Sequence, residues 1–181
     1  MLALGVVAAP AQAQGADRPP ALPGAKAAIV IDGRDGDVLF AKREGSRRAI
    51  ASTTKLMTAL LTLEETRPRQ VFRASSRRPA PVESQIGLRP GERMRVSDLF
   101  EALMLESAND AADTLAEGIA GSRARFVARM NERAAQLGLD DTSYANPIGL
   151  DDPSNYSTAR DLAALAFDLM RQPRFARVVD M

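Results

Sequence analysis

Apolar side chains recur along this chain in two rhythms. A short run rich in Ile and Val, Ala27 to Asp32, breaks at Gly33-Arg34-Asp35-Gly36 and resumes over Asp37 to Ala41, which predicts a buried strand returning through a hairpin. From Ser52 to about Glu65 the rhythm changes. Leu56, Met57, Leu60, Leu61 and Leu63 wrap most of a helical circumference, the mark of a core helix rather than a surface one. Residues 67–95 hold no sustained period and read as loop and short strands, with a turn at Pro90-Gly91. Three helices are predicted between 96 and 137. The first, Val96 to Leu105, has Ser97 as N-cap and a stripe of Leu99, Phe100, Leu103 and Met104. The second, Asp110 to Ala120, puts Ala111, Leu115 and Ile119 on one face and Asp110 at the positive end of its dipole. The third is capped by Ser122 and stopped by Gly138, and turns Phe126, Val127, Met130, Ala134 and Leu137 inward. Asn146-Pro147 and Asp152-Pro153 punctuate a loop, and Ser157 caps a last helix carrying Leu162, Leu165, Leu169 and Met170. No internal repeat is visible.

This order of elements predicts an α+β architecture. A sheet with packed helices comes from both ends of the chain, and a helical subdomain, about 67–156, is inserted between them. At 181 residues and 45% apolar, the chain has enough material for one core. A net charge of +1 gives no reason to expect nucleic acid as a partner, and Arg47-Arg48 and Arg77-Arg78 read as solvated surface. The apolar run Leu2 to Ala9 is too short to span a bilayer. Ala11-Gln12-Ala13 supplies a small-residue cleavage pattern, so residues 1–13 read as a signal peptide without its positive leading region, and 14–24 as a flexible Pro/Ala lead-in. Export across the inner membrane, to the periplasm or cell envelope, is the expectation. The absence of cysteine removes disulfides from the argument.

The chain also has no histidine. A Ser-His-Asp triad, a Cys-His pair and a His/Cys metal site are therefore ruled out, and no cofactor is expected. The main route left for acyl transfer is Ser-Lys chemistry. Ser52 and Lys55 form Ser-x-x-Lys at the start of the predicted core helix, one turn apart and on the same face. A serine hydroxyl is a weak nucleophile until a base takes its proton, and a lysine pushed toward neutrality by burial is such a base. A bare Ser-x-x-Lys occurs by chance about once in a chain this long, so the motif alone carries little weight. Ser107-Ala108-Asn109 lies in a short polar turn between two predicted helices, where a hydroxyl and a carboxamide can face a cleft or simply satisfy backbone groups.

In that order, Ser-x-x-Lys and then Ser-x-Asn, the sequence resembles the penicillin-recognising serine acyltransferases. It is closer still to the D-alanyl-D-alanine carboxypeptidases, the low-molecular-weight penicillin-binding proteins. The matching stretches are Ala51 to Leu60, Glu106 to Ala112, Phe126-Val127 with Met130-Asn131, Leu137-Gly138-Leu139, Asn146 to Leu150, and Ser157 to Ala163. The resemblance implies the β-lactamase/penicillin-binding-protein transpeptidase fold over 25–181. It implies a peptidoglycan stem peptide ending in D-Ala-D-Ala as substrate and β-lactams as ligands. It also implies roles: Ser52 as nucleophile, Lys55 as base, Ser107 as proton relay, and Asn109 as substrate-binding residue that helps position Lys55.

The family's third motif, Lys-Thr-Gly on a strand after the last helix, does not occur here; lysine is found only at 26, 42 and 55. Ile50 also stands where the family often has proline. The expectation is an N-terminal portion of such an enzyme with an incomplete site. The alternatives are a non-catalytic relative that binds cell-wall peptide and, more remotely, a class A β-lactamase. The latter needs a water-activating glutamate before the last helix, and residues 140–156 contain none.

Overall fold

The computed structural model describes residues 22–181. The predicted signal peptide (1–13) and most of the predicted lead-in (14–24) lie outside the described residues.

The molecule is organised around one helix, α1 (Lys55–Glu65), which packs against every other helix named below. Met57, Ala59, Leu60 and Leu61 are buried on it. Its predicted all-round apolar character is what a central helix needs, because helices approach it from several sides. A short 3-10 turn, Ala51–Thr54, leads into α1.

Around α1 stand α2 (Val96–Leu105), α3 (Asn109–Ala120) and α4 (Arg123–Gln136), with the turn 106–108 joining the first two. The centres of the apolar stripes expected for them are buried: Leu99, Phe100 and Leu103 on α2, Ala111 and Leu115 on α3, Phe126, Met130 and Ala134 on α4, with Met104, Ile119, Val127 and Leu137 only partly buried at the edge of the core. Ser122 caps α4 as expected, accepting from Arg125 N at 3.3 Å. Ser97 does not cap α2. The helix starts at Val96, ahead of that serine, because strand β5 (Arg93–Arg95) runs straight into it. The first amides of α2, Val96 N and Ser97 N, donate to Gln70 O and Pro68 O, so no side-chain cap is called for.

The last predicted helix is α5 (Ala159–Met170), capped not by Ser157 but by Thr158, whose side chain accepts from Asp161 N at 3.0 Å. Ser157 is held extended in β6 (Tyr156–Ser157), paired antiparallel with β3 (Arg48–Ala49). A further helix, α6 (Pro173–Val179), escapes the periodicity reading. It begins on proline and buries Phe175 and Val178.

The predicted hairpin is β1 (Ala28–Ile31) with β2 (Val38–Lys42), antiparallel. It is not a buried strand pair. Val30, Val38 and Leu39 are 46%, 60% and 65% exposed, since α5 covers only one face of a two-stranded ribbon. A third ribbon pairs β4 (Val71–Arg73) with β5. Its Phe72 lies across Gly118 of α3, where an added Cβ would stand 2.3 Å from the ring. The β3–β6 pairing matters most for function. It clamps the chain just before the 3-10 turn to the end of the loop 143–157, and so brings that loop against the N-terminus of α1.

Candidate active site

Ser52 sits in the 3-10 turn, exposed, with Lys55 one turn on and 3% exposed. Lys55 Nζ is 3.4 Å from Ser52 Oγ and donates a tighter bond, 2.8 Å, to the carbonyl of Ile148. Ala51, just before the serine, has φ +43°, a left-handed conformation that an alanine adopts only under constraint.

The constraint comes from the loop 146–155. Asn146 folds this loop on itself: its Oδ1 accepts from Ile148 N, Gly149 N and Leu150 N, and its Nδ2 donates to Leu150 O. The folded loop is then tied to the helix start. Thr58 Oγ1 donates to Pro147 O at 2.7 Å, and Asn155 Nδ2 to Thr54 Oγ1 at 3.2 Å. Asn146 to Leu150 is one of the stretches that carried the resemblance, but nothing in the sequence showed that it holds the lysine.

Gly149 is where loop and turn come closest. Its φ is +87°, and a Cβ there would lie 2.0 Å from Ala51 O. Gly149→Ala must therefore displace backbone against backbone. The expected cost is about 2–4 kcal/mol from strain and overpacking together, or roughly 5–15 °C in Tm for a domain of this size. A thermal melt checks it; an unchanged Tm would mean the loop is free to move off the turn.

Ser107 lies in the α2–α3 turn, half-buried, with φ +52°. Its hydroxyl makes no hydrogen bond among the described residues. Asn109 opens α3 and is buried. Its backbone N–H donates to Ser84 O at 2.8 Å, and its Nδ2 donates to Glu83 Oε2 at 2.7 Å. The structure thus brings Ser52 and Lys55 together. The lysine is held by the Ile148 carbonyl, and the Asn109 amide, expected to help position Lys55, is instead bonded to Glu83.

Behind Lys55 runs an ionic chain that the sequence reading missed. Arg77, there taken as solvated surface, binds both oxygens of Glu83 at 2.7 Å and Asp113 Oδ2 at 3.1 Å. Its side chain is 20% exposed, because the loop carrying it folds back over α3. Asp110 anchors that loop by accepting from Ile86 N, Gly87 N and Leu88 N. Arg123 Nε approaches the other oxygen of Asp113 at 2.9 Å as an ion pair rather than an aligned hydrogen bond. The sequence signal available was Asp113 itself, an acid on the inner face of an apolar helix.

Burial lowers Lys55 to about 8, against the pull of Asp113 and then Glu83. Burial raises Asp113 to about 6 despite Arg123 and Arg77. Burial also acts upward on Glu83, but the Arg77 guanidinium, Ala80 N and the Asn109 amide outweigh it and bring it to about 2. Near neutral pH a minor but far larger than ordinary fraction of Lys55 is uncharged beside an exposed serine hydroxyl. That is what a general base for a serine nucleophile requires.

Residues 13–178 match the family described as D-alanyl-D-alanine carboxypeptidase. The chain is 40% identical over 152 residues to the D-alanyl-D-alanine carboxypeptidase DacF of Bacillus subtilis, a match covering 81% of this chain and 39% of that protein. It superposes on penicillin binding protein 6B from Escherichia coli with a TM-score of 0.86 and 31% identity, over 93% of this chain and 56% of that one. Penicillin-Binding Protein D2 from Listeria monocytogenes, solved in a cefotaxime-bound form, superposes with a TM-score of 0.75 and 31% identity, over 86% of this chain and 66% of that one. The helices and ribbons described above are thus those of the penicillin-binding-protein transpeptidase fold. The chain spans about two fifths of the length of the Bacillus subtilis relative.

Proposed function

The chain belongs to the family of D-alanyl-D-alanine carboxypeptidases, and from that premise we propose that it acts through a Ser52 acyl-enzyme on peptidoglycan stem peptides ending in D-Ala-D-Ala. The observation that carries the reading is the buried Lys55, lowered to about 8 and 3.4 Å from Ser52 Oγ.

Neutral Lys55 Nζ takes the Ser52 proton as Oγ attacks the carbonyl carbon of the penultimate D-Ala. The backbone N–H of Ser52, in the first turn of a helical segment, stands among donors without an intrahelical partner and supplies one contact to the developing oxyanion. The tetrahedral intermediate collapses, the C–N bond breaks, and the terminal D-Ala leaves with a proton passed through Ser107. Water then hydrolyses the ester and regenerates Ser52. Asn109 holds the peptide backbone of the substrate. Anchoring of the substrate carboxylate is a role of the family's Lys-Thr-Gly strand, which this sequence does not contain. A β-lactam would follow the same first step, its strained amide opening on Ser52 Oγ, which makes penicillins ligands of the same site. The work would be done in the cell envelope, reached by way of the signal peptide read in residues 1–13.

The test is release of D-alanine from a D-Ala-D-Ala peptide by the full-length protein, wild type beside Ser107→Ala. Wild type releases D-alanine. The variant keeps its melting temperature, since Ser107 makes no hydrogen bond among the described residues, and loses about 10²–10⁴-fold in turnover with its proton relay. No release by wild type would sink the carboxypeptidase reading, and a variant with lower Tm but unchanged turnover per folded molecule would make Ser107 structural.

A further inference from the structure

The carboxylate of Glu83 is fully engaged. Oε1 accepts from Arg77 and from Ala80 N, Oε2 from Arg77 and from Asn109 Nδ2. An ionised carboxylate can only accept, so it dictates which way the Asn109 amide faces: Nδ2 toward Glu83, Oδ1 away from it. The same carboxylate is part of the charge surrounding Lys55. Asp113 comes from α3, Glu83 and Arg77 from the loop 74–92, and Arg123 from α4 by way of Asp113.

We propose that Glu83, clamped by Arg77, is a positioning residue of the site: it fixes the orientation of the Asn109 amide and adds its negative charge to the surroundings of Lys55. The proposal rests on the acyl-enzyme reading above for its effect on rate. It does not rest on that reading for its effect on the lysine. Glu83 lies outside all the stretches that resemble the family, and it makes no hydrogen bond or ion pair with Ser52 or Lys55. Its influence runs through Asn109 and through the field it exerts on Lys55. Arg77 is essential to the arrangement because it neutralises and pins Glu83 while tying it to Asp113, so that the two acids form one network under the lysine.

The experiment compares wild type, Glu83→Gln and Glu83→Ala in the full-length protein by two readouts. The first is the titration of Lys55, followed by nuclear magnetic resonance of lysine labelled with carbon-13 at Cε and assigned with Lys55→Met. The second is acylation by a labelled penicillin, per folded molecule. Removing a negative charge near an ammonium favours its neutral form, so the Lys55 midpoint moves to lower pH in both variants. Glu83→Ala, which also frees the amide, loses about 10-fold or more in acylation, since small misplacements in a site cost that much. Glu83→Gln keeps an acceptor of the same shape and recovers part of the rate.

An unmoved Lys55 midpoint in both variants overturns the proposal, and so does folded Glu83→Ala acylated within two-fold of wild type. Should Glu83→Ala not fold, the midpoint in Glu83→Gln decides. Should wild type take no label at all, the acyl-enzyme reading fails, while the titration still tests the link from Glu83 to Lys55.

Discussion

A labelled penicillin offered to the full-length protein ends on Ser52, and Ser52→Ala takes no label. Only a serine beside an uncharged base can open the lactam at a useful rate, and Ser52 is the one next to Lys55. Its hydroxyl is exposed to an incoming ligand, while the lysine is buried and lowered to about 8. Ser107, the other candidate hydroxyl, makes no hydrogen bond to a base among the described residues. Alanine at 52 leaves no oxygen to form the ester, so the loss is complete rather than graded. The substitution also adds nothing to a crowded region, since Ser52 is exposed, and the melt should stay within about 1 kcal/mol of wild type. Peptide mapping of the acylated protein is the check; a label found on Ser107, or retained by Ser52→Ala, would remove Ser52 from the mechanism.

Lys55→Arg produces the second large effect, a fall of about 10²–10⁴-fold in acylation, the usual worth of a general base. Arginine keeps the positive charge, so the substitution separates a base from a mere cation. Its guanidinium does not give up a proton near neutral pH. The wild-type pH profile carries the same information. Because the neutral amine is the active form, acylation rises with pH and levels off above about 8, the value to which burial brings Lys55. The arginine variant shows no such limb. A buried guanidinium in place of the amine is also larger, so a melt must accompany the kinetics and rates be taken per folded molecule. Acylation within a few-fold of wild type, with the rising limb intact, would show that another group is the base.

Much of the helical framework is written in the chain's periodicity. The stripes of α2, α3 and α4 identify elements whose positions the structure keeps to within a residue or so, and the all-round apolar surface of α1 identifies that helix, although its first turn, from Ala51 to Thr54, is 3-10 and α1 itself starts at Lys55. Local rhythm suffices there because one turn of helix sets which side chains face the core. The capping errors at Ser97 and Ser157 have a single cause. Both residues have the right chemistry for a cap, but in each case a strand runs up to the helix start: the first amides of α2 find Gln70 O and Pro68 O, and at α5 the strand holds Ser157 extended and leaves the cap to Thr158. The hairpin errs for the opposite reason: Ile and Val predict a strand but not what covers its second face, and Val30, Val38 and Leu39 remain exposed.

At the site the division is sharper. The sequence by itself narrowed the chemistry: with neither histidine nor cysteine, a serine–lysine pair is the main route left for acyl transfer, and Ser52 and Lys55 stand one helical turn apart. That acyl transfer is the reaction was implied by the resemblance of the ordered stretches, not by composition. Only the tertiary structure decided whether Lys55 can act as a base, because its proton affinity depends on what surrounds it. The Ile148 carbonyl arrives from 93 residues away, and Asp113 and Glu83 come from two other elements. The same holds for Arg77, which looks like surface in a run of arginines and becomes the centre of an ionic chain when its loop closes over α3. Spacing along a helix is local and legible; burial and electrostatic field are sums over distant residues, and they exist only once the chain has folded.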